Sequence, residues 1–328
     1  MTKKKAAQAP KQTTNKTKDS LVKVVVDEDK GEWLSPKKDA AFEISAEPGF
    51  PEIVFKFKTN QPPPFDWKWE IKWDAKVSGL KESAKRGALL KTFEEKGSFS
   101  GDKPEWRADV GKIVGGRLTV EVRAGEEVFR RSVEVKAKNP SADDIKAFLA
   151  KQPDAAGFDR LLEQESGFKH LINADGQPVV AFDKGYGLTQ MTNPAPSFEQ
   201  VWNWKENLLA GVKLYQQKQK LAKAFLSQSK RTYTDEQLKL ETWSRWNGGG
   251  YHTWDAETKS WVRSSTTLCD TATGNIGWDT TEKDNKGKTE SELHERDKGT
   301  YANPKKDKTE ANKWRYTGVC YADHVNTE

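Results

Sequence analysis

The chain has 328 residues, 34% hydrophobic and 32% charged, with a formal net charge of +6. That length exceeds a usual single domain, and the polar composition points to compact bodies carrying solvated extensions. Lys3, Lys4, Lys5, Lys11, Lys16 and Lys18 all precede the first acid, Asp19. The positive charge is therefore local, and the chain does not read as a nucleic-acid binder.

Residues 1–26 are expected as a basic, flexible N-terminal segment without the apolar core of a usual export signal. No apolar stretch reaches the ~18 residues a spanning helix needs, so no membrane span is expected.

From residue 27 to 138 the pattern is that of strands. Phe55 and Phe57 alternate with Lys56 and Lys58, and Trp67, Trp69, Ile71 and Trp73 alternate with Lys68, Glu70 and Lys72. Residues 117–123 and 128–135 repeat that period of two. Pro62 to Pro64, Gly115 with Gly116, and Gly125 supply the breaks, the last joining two strands as a hairpin. An immunoglobulin-like β-sandwich of about 100 residues is the expected architecture. The shared face of Trp67, Trp69 and Trp73 is expected to fill its core rather than stack on sugars.

Near Pro140 the period changes to that of helices. Ser141 ahead of Asp143 and Asp144 signals a helix start, with Ile145, Phe148 and Leu149 on one face. Helical spacing continues from Phe158 to Glu165 and from about Trp202 to Leu226. Thr234 and Gln237 then form a capping box for a helix to about Trp246. The second domain, residues 141–263, is expected to be mainly α-helical. Residues 264–328 show little periodicity and are expected as an irregular extension. Residues 313–321 are expected to return as a strand, pinned by a candidate disulfide between Cys269 and Cys320. His170, His252, His294 and His324 are scattered without ligand spacing, so neither a metal nor a cofactor is expected.

Glu165 ends an apolar helical run beside Ser166 and the Gly167 turn. A carboxyl group among apolar side chains keeps its proton to higher pH, as a general acid near neutrality must. Glu163, two residues away, points in another direction on a helix, so only one of the two can face a groove. The following Ser166, Gly167 and Phe168 favour Glu165. Further on, Gly185, Tyr186, Gly187, Leu188, Thr189 and Gln190 combine glycines that admit close backbone approach with an amide that donates and accepts. A third element, Trp246, Asn247, Gly248 and Gly249, sets a ring and an amide beside a glycine turn.

In this order the three elements resemble the lytic transglycosylase/goose-type lysozyme family, whose pattern runs Glu-Ser, Gly-x-x-Gly-Leu-Met-Gln, then aromatic-Asn-x-Gly. Glu165 and Ser166 match the first element. Gly185 to Gln190 match the second, with Thr189 in place of Met and a spacing one residue shorter. Trp246 to Gly249 match the third, with Trp246 where Tyr is common, so the phenolic hydroxyl is missing there. Residues 207–211 resemble the helix between the second and third elements.

The resemblance implies a lysozyme-like helical fold after the sandwich. It also implies Glu165 as acid, then base, on the bond between N-acetylmuramic acid and N-acetylglucosamine. A transglycosylase would release an anhydro sugar, and a lysozyme a hydrolysed end. A hydrolase would want a second carboxylate to hold water, for which Asp175 and Asp183 are the candidates. Ser166 and Gly187 are expected at the substrate. Gln190 and Asn247 are expected to hydrogen-bond sugar, and Tyr186 and Trp246 to lay rings against it.

The expected partner is a peptidoglycan glycan strand, met in the periplasm or wall of a target cell. Without a usual signal, a secretion apparatus or phage-tail-type component would deliver the enzyme, and an immunity protein would plug its groove. The competing expectation is a non-catalytic, glycan-holding component of such an apparatus.

Overall fold

The computed structural model describes residues 29–79, 85–168, 172–301 and 314–327. The basic segment 1–26 and His170 lie outside the described residues.

Among the described residues eight strands come first: β1 (Trp33–Ser35), β2 (Ala41–Ile44), β3 (Val54–Phe57), β4 (Phe65–Lys76), β5 (Leu89–Gly101), β6 (Glu105–Arg107), β7 (Gly116–Ala124) and β8 (Glu127–Ala137). They form a five-stranded sheet, β2-β8-β7-β4-β5, and a three-stranded sheet, β1-β3-β6. The β2–β8 pair is parallel and the other pairs are antiparallel. The β7–β8 hairpin turns at Gly125, whose φ of 57° suits glycine.

Period-two alternation puts Trp67, Ile71, Leu118, Val120 and Val122 of the larger sheet in one core with Phe55 and Phe57 of the smaller. Trp67 meets Phe57 with ring centres 5.5 Å apart. Trp67 and Trp73 are buried, and the half-buried Trp69 stacks on Trp106.

Helices follow: α1 (Ala142–Leu149), α2 (Phe158–Ser166), α3 (Phe198–Trp202), α4 (Trp204–Leu226) and α5 (Asp235–Trp246). Capping boxes at Ser141 with Asp144 and at Thr234 with Gln237 fix the starts of α1 and α5. Residues 172–202 also pack on the β region. Val180, Tyr186, Phe198, Val201 and Trp202 belong to its core, and Trp73 Nε1 donates to Gln177 Oε1 at 3.0 Å. The change of period near Pro140 thus divides elements, while one apolar core crosses it.

The expected two-part architecture, an immunoglobulin-like sandwich followed by a mainly α-helical lysozyme-like domain, is overturned. The protein is roughly 29% helix and 30% strand, and the described residues form four sheets, two of them beyond residue 250. Strands β9 (His252–Asp255) and β10 (Ser260–Arg263) pair as one, and β11 (Thr267–Cys269), β12 (Ile276–Asp279) and β13 (Trp314–Tyr316) as the other. Strands of three or four residues hold too little alternation to register as period two, which is why they escape the sequence.

Residues 264–328 are likewise no irregular extension where they are described. Besides three strands they form α6 (Glu290–Asp297), which shares a small core of Ile276, Trp278, Leu293 and Trp314 with β12 and β13, and α7 (Gly318–Thr327), whose Val319, Tyr321, Ala322 and Val325 pack into the core of the preceding helices. Cys269 and Cys320 are disulfide-bonded, tying β11 to α7. Replacing both cysteines with serine should lower stability by ~2–4 kcal/mol, because the bond restricts the unfolded chain. Urea unfolding with and without reductant checks this. Equal midpoints for the oxidised and reduced protein would contradict it.

Candidate active site

Leu161 and Leu162 bury one side of α2, and Gly167, at a φ of 57°, ends the helix by donating its N–H to Glu163 O at 2.7 Å. Glu163 turns to the exposed side, 3.4 Å from Arg160. Glu165 turns inward to a cleft of about 390 Å³, bordered also by Asp183, Gln190, Asn193, Lys218, Trp246 and Asn247. A larger cavity of about 650 Å³ lies elsewhere, between the five-stranded sheet and residues 173–178.

Two donors fix the Glu165 carboxyl. Trp246 Nε1 reaches Oε1 at 3.1 Å and the Tyr321 hydroxyl reaches the same oxygen at 2.7 Å. Burial pushes the Glu165 pKa up, the two hydrogen bonds pull it down, and the nearby Asp183 charge pushes it up again. The net result stands above the ordinary carboxylate value.

The turn from Ala181 to Met191 forms one wall. Asp183 Oδ1 accepts from Gly185 N at 3.1 Å, and Gln190 Nε2 donates to Gly187 O at 2.8 Å. Gly187 (φ 75°) and Gln190 (φ 44°) are both left-handed, so the wall is held by local bonds rather than a regular element. Asn207 of α4 fastens it from behind. Fully buried, Asn207 accepts from Thr189 N and Oγ1 and donates to the carbonyls of Tyr186 and Gln200. Gly211 lets Thr189 approach, since a Cβ there would lie 2.3 Å from Thr189 Cγ2.

The opposite wall is the end of α5. Buried Glu241 anchors it: Oε2 accepts from Tyr251 N, His252 N and His252 Nδ1, each at 3.0 Å, while Arg245 lies 2.7 Å from Oε1. Burial opposes the charged form of Glu241. The His252 bond, the Arg245 charge and the two backbone donors outweigh it and hold the pKa below the ordinary value. Gly249 and Gly318 meet backbone to backbone, a Cβ on Gly249 falling 2.9 Å from Gly318 Cα. That close approach seats α7, and α7 carries Tyr321 to Glu165.

The residues expected from sequence therefore separate. Glu165, Asp183, Gln190, Trp246 and Asn247 border one cleft. Gly187 serves through its carbonyl, inside the wall. Ser166 does not border the cleft, because its hydroxyl donates to Leu162 O within α2. Tyr186 is 2% exposed and packs edge-on against Phe93, so its ring is core, not a sugar platform. Asp175 accepts from Gln177 N and lines the larger cavity, which removes it as partner of Glu165. Tyr321 and Glu241 were not anticipated. Tyr321 stood within an aromatic run beside Cys320, a faint signal, and Glu241 gave none.

Among the described residues no group of three His, Cys, Asp or Glu side chains could hold a metal ion. No described helix is long and apolar enough to cross a membrane. No protein-family model, curated protein or solved structure matches this chain.

Proposed function

We propose that the chain cleaves the glycan strands of peptidoglycan, with Glu165 as the general acid at the bond between N-acetylmuramic acid and N-acetylglucosamine. The observation that carries this reading is a carboxyl group oriented by Trp246 and Tyr321, open to a cleft of ligand size, with a pKa that burial raises above the ordinary carboxylate value. The order of Glu165-Ser166, Gly185 to Gln190 and Trp246-Asn247 supplies the substrate class. A cleft that only held glycan would have no use for a raised acid at that point.

In this mechanism Glu165 gives its proton to the glycosidic oxygen as the bond breaks. The resulting carboxylate then takes a proton from the attacking hydroxyl, either the muramoyl C6 hydroxyl or water. Tyr321 and Trp246 donate to Oε1 in both states and hold it in line. Gln190 and Asn247 meet the sugar. Asp183, whose charge adds to the upward push on the Glu165 pKa, is the carboxylate that would hold a water in the hydrolytic variant.

The enzyme would act in the periplasm or wall of a target cell after delivery by a secretion or phage-tail-type apparatus. An immunity protein would have this cleft to block. The test of activity is release of soluble label from dyed peptidoglycan sacculi by wild type and by Glu165→Gln. Release by the wild type alone supports the reading, and equal release by both would end it.

Tyr321→Phe separates positioning from chemistry. The Tyr321 bond favours the charged carboxylate, so its loss should raise the Glu165 pKa further. The fall of activity on the alkaline side then moves to higher pH, while the maximal rate drops by about tenfold, the equivalent of one hydrogen bond. A pH–rate profile with an unmoved alkaline limb would contradict this.

A further inference from the structure

Helix α4 places Leu214 and Lys218 one turn apart on the same face, and both border the cleft. Among the described residues that line it, Lys218 is the single cation, set against the two acids Glu165 and Asp183. Its neighbours on α4 differ: Lys205 pairs with Glu47, and Lys213, Lys220 and Lys223 point to solvent. Lys218 is half-buried, borders the cleft and has no carboxylate partner among the described residues, so its charge is available to a ligand there. Leu214 supplies an apolar surface beside it.

A ligand carrying a carboxylate is repelled by the charge of Asp183 and attracted by that of Lys218, so Lys218 is the residue of this lining that such a group would meet favourably. Resting on the reading of this cleft as a glycan site, we propose that Lys218 binds a carboxylate of the substrate and makes the enzyme selective for a muramoyl glycan over a neutral one. The carboxylate is that of the lactyl group on a stripped strand, or one of the stem peptide on an intact strand.

The experiment titrates the full chain bearing Glu165→Gln with three tetrasaccharides in a calorimeter. One is chitotetraose, one alternates N-acetylmuramic acid with free lactyl carboxylates, and one carries stem peptides on the same sugars. An acidic probe is expected to bind about tenfold more tightly than chitotetraose at low salt, as a charge-assisted contact would give. The more favoured of the two acidic probes identifies the source of the carboxylate. Adding Lys218→Met should abolish the preference, and adding Lys218→Arg should retain it, which also shows that the fold survives change at this position.

Equal affinity for acidic and neutral probes, or a preference that persists in Lys218→Met, overturns the role of Lys218 and leaves the glycan site standing. Failure of all three probes to bind the folded Glu165→Gln protein removes both.

Discussion

Glu165→Gln is expected to lower turnover of peptidoglycan by roughly 10²–10⁴-fold, the usual contribution of a positioned proton donor. Glutamine keeps an oxygen that can accept from Trp246 and Tyr321 but has no proton to transfer, so binding should survive. The wild-type rate should fall as pH rises through the raised pKa of Glu165, because only the protonated form acts as the acid.

Stability supplies an internal control with a defined sign. A carboxyl group whose folded pKa exceeds its unfolded value binds more protons when folded, so its favourable contribution is present at low pH and lost as pH rises through the folded pKa. At neutral pH the Gln variant should therefore melt no lower than the wild type. A thermal scan that showed it much less stable would assign the lost activity to unfolding.

The second large effect is structural. Glu241→Ala should cost about 3–5 kcal/mol, the usual penalty for breaking a buried ion pair from one side. Arg245, the His252 ring and the backbone N–H groups of Tyr251 and His252 would all lose their acceptor. The loop carrying Asn247 would lose its anchor, so activity should fall along with stability.

Here the pH dependence has the opposite sign to that of Glu165. The folded pKa of Glu241 is lowered, so its contribution is present above the unfolded carboxylate pKa and disappears as pH falls through the folded one. Chemical denaturation across that acidic range checks this. The gap between wild type and Glu241→Ala should narrow with acid, and a constant gap would contradict the ionised anchor.

The elements legible in the sequence were those long enough to repeat a pattern. β4, β7 and β8 alternate over many residues, and the caps at Ser141 and Thr234 are local bonds between neighbours in the chain. Glu165, Gln190, Trp246 and Asn247 were singled out by the order of three short segments that resembles a known family's pattern, and the fold brings all four to one cleft.

What could not be read depends on distant partners. Tyr186 looks like a free ring between two glycines until Phe93 is placed against it. Asp175 and Asp183 look equivalent until the bridge between Ile172 and Pro178 turns the first toward another cavity. The phenol that bonds Glu165 comes from Tyr321, 156 positions away, on a helix seated by Gly249, Gly318 and the Cys269–Cys320 bond. The small sheets after residue 250 escaped because strands so short take their form from tertiary contacts rather than from local pattern.

The most direct measurement of the central claim is mass analysis of the glycan ends made when purified peptidoglycan is digested by the wild type and by Glu165→Gln. New muramoyl ends, either anhydro or reducing, should appear with the wild type and be absent with the variant. Anhydro ends would assign internal attack by the C6 hydroxyl, and reducing ends would assign water, with Asp183 as its holder. Folded wild-type protein that produced no new glycan ends from any wall type, or produced the same ends when Glu165 was Gln, would contradict Glu165 as the acid of a peptidoglycan-cleaving enzyme.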